Sequence, residues 1–62
     1  MNNEYNHVGT DVSNGQFAVV IIPGHDPIPT IVMGTNNSRV LMMGSEQTSW
    51  VDSEFVYERN GV

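Results

Sequence analysis

The stretch "TSWVDSEFVYE", residues 48–58, brings the single Trp, a Phe and a Tyr together and interleaves them with Asp52, Glu54 and Glu58. Trp50 and Tyr57 held on one surface, with Asp52, Glu54 and Glu58 at its rim, would attract a basic peptide or a cationic group through cation–π and ionic contacts. The competing expectation packs Trp50 and Phe55 inside the fold and leaves Tyr57 half-exposed. A chain with one Trp, two Tyr and two Phe needs most of them for its core. A methyl-lysine cage wants about three or four converging rings, and only Trp50 and Tyr57 can be placed.

Catalytic chemistry has little to work with. Ser13, Ser38, Ser45, Ser49 and Ser53 lack the strained glycine elbow of a hydrolase. His25-Asp26 is an adjacent acid–base pair, but on a Pro-rich loop such a pair more often forms an Asx-type turn than a dyad. There is no Gly-rich phosphate cradle of the Walker or dinucleotide type. The chain has no Cys, and the spacing of His7, His25 and Asp26 does not predict a shared metal. The expectation is a protein that is not an enzyme and carries neither a metal nor any other cofactor.

At 62 residues the chain is one domain, near the lower limit at which an apolar core sustains a fold unaided. Without a disulfide or a metal, stability must come from packing, from self-association or from a partner. An apolar fraction of 39% is too high for a disordered chain of this modest charge. There is no Lys, and Arg39 and Arg59 face seven carboxylates for a net charge of −5. That balance argues against nucleic-acid phosphates and anionic membranes, while the acidity is too sparse to imitate a nucleic acid. No segment approaches the length of a membrane span. The start MNNEYNHVG has no signal-peptide pattern, so the default expectation is cytoplasmic.

The elements that must position these residues read as β throughout. Residues 1–7 are expected to be flexible. Asn14-Gly15 suits a type I′ turn between Val8–Ser13, where Val8, Thr10 and Val12 alternate with polar neighbours, and Gln16–Ile22. FAVVII, residues 17–22, is the strongest strand signal, ended by Pro23-Gly24. The loop PGHDPIP forbids helix. Thr30–Gly34 reads as a strand, Thr35–Ser38 as a turn in which the sequon-like Asn36-Asn37-Ser38 takes part, and Arg39–Gly44 as another strand before a turn over Ser45–Thr48. Trp50-Val51 and Phe55-Val56-Tyr57 read as short strands around a tight turn at Asp52-Ser53-Glu54; read as a helix, this stretch forms a poor stripe. The fold class expected is all-β, a small barrel of five to six short antiparallel strands.

The order of a long apolar strand, a Pro/Gly loop, two hairpin-linked strands and then "WVDSEFVYE" resembles the SH3-like small barrels, which include SH3, Tudor and KOW-type domains. The resemblance covers roughly residues 16–58. It implies a single 3₁₀ turn at Asp52–Glu54 between the last two strands. The chain lacks the ALYDY-like strand of peptide-binding SH3 domains and the basic Gly-centred turn of KOW domains, so neither proline-peptide nor RNA binding is carried over.

A half-buried strand should alternate, yet several of these do not. In FAVVII, Phe17, Val19 and Ile21 share one face and Ala18, Val20 and Ile22 the other. In RVLMM, Val40 and Met42 lie opposite Leu41 and Met43, and Thr30–Met33 is nearly as apolar. So much double-faced apolarity in so short a chain marks an interface or an aggregation site, unless the N-terminal hairpin folds over one face. Phe17, Val19, Ile21, Leu41, Met42 and Met43 are therefore the expected oligomer interface, with Met42 and Met43 suited to an adaptable surface.

The leading expectation is a non-enzymatic protein-binding module or small oligomeric subunit, with a protein partner and a homo-oligomer, a dimer by base rate. Alternatives are a small viral or mobile-element protein that blocks a host factor, a structural component of a larger particle, and a ligand-sequestering oligomer. Discrete against open-ended assembly separates the particle component from the rest.

Overall fold

The computed structural model describes residues 4–60. Six strands are present: β1 Tyr5–His7, β2 Phe17–Val20, β3 Ile28–Asn36, β4 Arg39–Met43, β5 Thr48–Asp52 and β6 Val56–Arg59, with the 3₁₀ turn η1, Ser53–Phe55, between the last two. They form a single antiparallel sheet in the order β1-β6-β2-β3-β4-β5. The all-β expectation holds. The barrel does not close: among the described residues, β1 and β5 end the ladder and do not pair with each other.

The inner face of this sheet is aliphatic. Ala18, Val20, Val32, Val40, Met42 and Val56 are buried, and Val8, Val12, Ile22, Val51 and Phe55 pack against them. The alternation of β4, with Val40 and Met42 inside and Arg39 and Met43 exposed, sets this face. Small β-branched side chains let the sheet curl tightly over its own inner face, which is how one layer acquires a core. Thr30 is the buried polar exception, and its hydroxyl donates to the Ala18 carbonyl at 3.0 Å.

The N-terminal hairpin is not formed. Residues 8–16 are loop, and β1, expected to be flexible, instead pairs with β6 through Tyr5↔Arg59, Asn6↔Glu58 and His7↔Tyr57. The His7 Nε2–H donates to the Ser53 carbonyl at 3.0 Å, tying β1 to η1. Asn14-Gly15 does form a turn, closed by the Gln16 N–H on the Ser13 carbonyl at 3.1 Å. Only Gly15 has positive φ there (87°), however, whereas a type I′ turn requires it at both positions. Val8 and Val12 reach the inner core without strand pairing.

A Cβ at Gly15 would meet nothing, so only its backbone conformation opposes a side chain. Gly15→Ala is therefore expected to lower stability by about 1–2 kcal/mol. Gly34→Ala, with ordinary φ and equally open space, is expected to be neutral or stabilising by up to about 1 kcal/mol. Urea denaturation of the two variants checks the pair.

Pro29 lies within β3, opposite Val19. The Val32 N–H bonds to the Gln16 carbonyl, so by alternation Pro29 is a non-bonded position towards β2. Its missing N–H would face beyond the end of β4, which reaches only Ile31. The ladder loses nothing.

Candidate functional site

The cross-strand register shows which apolar residues share the outer face, because residues directly opposite one another point to the same side. One row runs Phe17, Ile31, Met43, Thr48 across β2 to β5. A second joins Val19 to Tyr57 and His7 on one side and to Pro29 on the other. A third places Leu41 between Gly34 and Trp50. The register shifts between Val32 and Gly34, leaving Met33 as the extra residue of a bulge. Phe17 is 77% exposed, Trp50 48%, and Met33 and Met43 are exposed as well. Val19, Ile31 and Leu41 are half-buried among them.

This arrangement divides the expected interface. Phe17, Val19, Leu41 and Met43 lie outside, as an interface needs. Met42 does not: it is 2% exposed and packs in the core with Val32, its partner across the ladder. Ile21 lies beyond the end of β2, half-buried, its N–H bonded to the Phe55 carbonyl at 2.9 Å. Ile31 and Met33 complete the face. The reason for the error is parity. In RVLMM both faces are apolar, so nothing in the pattern tells Met42 from its neighbours.

The aromatic platform is not assembled. In the sheet order β5 and β6 are separated by β2, β3 and β4, so Trp50 and Tyr57 stand apart. Tyr57 packs edge-on against the His7 ring, centroids 5.2 Å apart and planes at 71°. With Glu54 it lines a shallow groove shared with Ile21, Pro23 and Phe55. Trp50 sits beside Leu41 on the outer face. Asp52 is partnered by Arg39, Oδ1 to Nε 3.5 Å, in an exposed pair of small energetic weight. The interior placement expected for Trp50 fails too, because Val51 takes the inward position of β5. Phe55 is half-buried against the core, as a closing residue should be.

On the inner side, the unclosed mouth of the sheet leaves a groove of about 510 Å³ lined by Val20, Ile22, Ile28, Thr30, Met42 and Val51, with Glu46, Gln47 and Ser49 among its polar rim. Its Thr30 hydroxyl is already committed to Ala18, and Glu46 is the charged side chain among its described lining. Among the described residues, no group of three or more His, Cys, Asp and Glu side chains is placed to hold a metal. No helix there is long and apolar enough to cross a membrane. Comparison with protein-family models, curated proteins and solved structures finds no match.

Since Trp50 is half-exposed and none of its ring completes the core, Trp50→Ala is expected to change stability by no more than about 1 kcal/mol. Urea titration followed by circular dichroism is the check. Unfolding on this substitution would return Trp50 to a structural role.

Proposed function

We propose that the protein is a non-enzymatic protein-binding module of SH3-like type whose working surface is the outer sheet face, and that copies associate through it when no other partner is present. The observation that carries this is the register. Phe17, Ile31, Met33, Leu41, Met43 and Trp50 share one face of β2 to β5, with Phe17 and Trp50 prominent in solvent. Full burial of a wholly exposed side chain of this kind is worth about 1.5–3 kcal/mol before the cost of association. Phe17 comes nearest to that value and the half-buried members add less, against a repulsion between chains of net charge −5 that salt screens. The charged groups sit off this patch, apart from the Arg39–Asp52 pair at its margin, a polar rim of the usual kind. The SH3-like reading is supported by η1 between β5 and β6 and by the return of β6 alongside β2.

Trp50 is the only Trp, so its fluorescence reports on association at the β5 end of this face. As concentration rises from nanomolar to high micromolar, emission is expected to shift to the blue as the indole leaves water. A constant maximum over that range, with no partner added, would contradict the proposal.

A further inference from the structure

Among the described residues β5 ends the sheet and leaves an open edge, distinct from the outer face. Two hydrogen bonds flank the β4–β5 ladder: Gly44 N–H to the Gln47 carbonyl and Ser53 N–H to the Ser38 carbonyl, both 2.8 Å. Bonded and non-bonded pairs alternate along an antiparallel ladder, so Ser49 and Val51 bond to β4. Thr48, Trp50 and Asp52 then aim their N–H and C=O groups away from the sheet, with no strand beside them among the described residues. The strand has few of the devices that protect an edge, Asp52 being its single charged residue. It carries no Lys, no Pro and no bulge, and all its residues except Val51 are exposed.

We infer that two copies pair antiparallel through β5, about a dyad at Trp50. The strand is self-complementary in that register. Trp50 faces its own copy, and Thr48 faces the partner's Asp52, a hydroxyl donor against a carboxylate acceptor. Each of these opposed pairs exchanges two backbone hydrogen bonds. The two Asp52 carboxylates stay roughly 13 Å apart at a rise of about 3.3 Å per residue, beyond the screening length of about 8 Å in physiological salt. Each is also balanced by its own Arg39. Trp50 and Leu41 are neighbours on the outer face, so the dyad continues the apolar row from one copy into the next and doubles the surface. The other open edge, β1, would pair with β5 only head to tail, which makes rings or filaments rather than a closed dimer.

The contact is read in the Phe17→Lys background, where the outer face is charged but the β5 edge is untouched. Sedimentation equilibrium is expected to show a dimer of the 6.9 kDa chain. Adding Thr48→Pro removes only an edge-facing N–H, which the fold tolerates on an edge strand, and is expected to weaken the dimer on the order of a hundredfold. Adding Trp50→Glu or Trp50→Lys sets like charges opposite each other, so each chain alone is expected to be monomeric. An equimolar mixture of the two is expected to recover the dimer to within about tenfold, since opposite charges now meet at the dyad. Circular dichroism confirms that each variant folds. A mixture that stays monomeric, a dimer indifferent to Thr48→Pro, or open-ended assembly would overturn the inference. If the wild type associates but Phe17→Lys alone is monomeric, the edge inference falls and the outer-face reading stands. If both are dimers and Thr48→Pro dissociates both, the outer-face reading falls and the edge stands.

Discussion

Val32→Asp is expected to leave no folded protein under conditions where Met33→Asp, one residue along the same strand, folds normally. Val32 is fully buried at the centre of the sheet, opposite Met42 and among Val20, Val40 and Val56. A carboxylate there is unpaired, since Arg39 and Arg59 both lie exposed at the surface, and a buried unpaired charge costs several kcal/mol. A domain of this size has only about 0.05–0.15 kcal/mol per residue in hand, so the penalty is of the same order as the whole stability. Met33 points outward from the bulge and is exposed. Its replacement changes solvation and little else, within about 1 kcal/mol. Far-UV circular dichroism of the two variants reads the face assignment directly. A folded Val32→Asp beside an unfolded Met33→Asp would mean that the sheet is turned the other way.

Phe17→Lys is expected to separate association from folding. Phe17 is the most exposed of the large apolar residues, at 77%, and it occupies the outer row with Ile31 and Met43. Losing its contacts leaves the core of Ala18, Val20, Val32, Val40, Met42 and Val56 intact. Stability is expected to move by no more than about 1 kcal/mol, the span of strand preferences. Association through the outer face is expected to weaken by about 2 kcal/mol or more, because a charged side chain replaces an aromatic anchor and must be desolvated. Sedimentation equilibrium of the variant beside the wild type is the readout. An average mass unchanged from the wild type would remove Phe17 from the interface.

The sequence was most legible where side-chain chemistry and backbone demand coincide. FAVV and RVLMM are strands because β-branched and apolar residues run between turn formers. Asn37, at φ 53°, makes the turn between β3 and β4 that TNNS announces. Legibility ended where backbone pairing works without side-chain signal. Tyr5-Asn6-His7 is polar, yet it forms β1 because β6 offers it an open edge. Asn14-Gly15 imitates a hairpin turn, although only its Gly takes the left-handed conformation. Ile21 and Ile22 look like a continuation of β2 but leave it, while β3 extends back through Ile28 and Pro29.

The candidate site was harder to read for a related reason. A one-residue change of register moves a side chain across the sheet, and strands apolar on both sides give alternation no purchase. That is why the pattern groups Met42 with Leu41 and Met43 at the interface and leaves Trp50 open between core and surface, where the structure buries Met42 and exposes Trp50. The bulge at Met33 adds a further shift that composition cannot reveal. The grouping of Trp50 with Tyr57 failed at the level of topology instead. Closeness in sequence across η1 became separation by three strands once β6 returned to β2.

The proposed function puts contact with another protein chain, copies of this one included, on the outer apolar face. Sedimentation equilibrium across the micromolar range, on the wild type and on Phe17→Lys side by side, tests it most directly. The wild type is expected to exceed the mass of the 6.9 kDa monomer and to exceed the average mass of Phe17→Lys at every matched concentration, with circular dichroism showing the same β content in both. Equal masses for the two chains, or a wild type that stays a 6.9 kDa monomer throughout, would contradict the account.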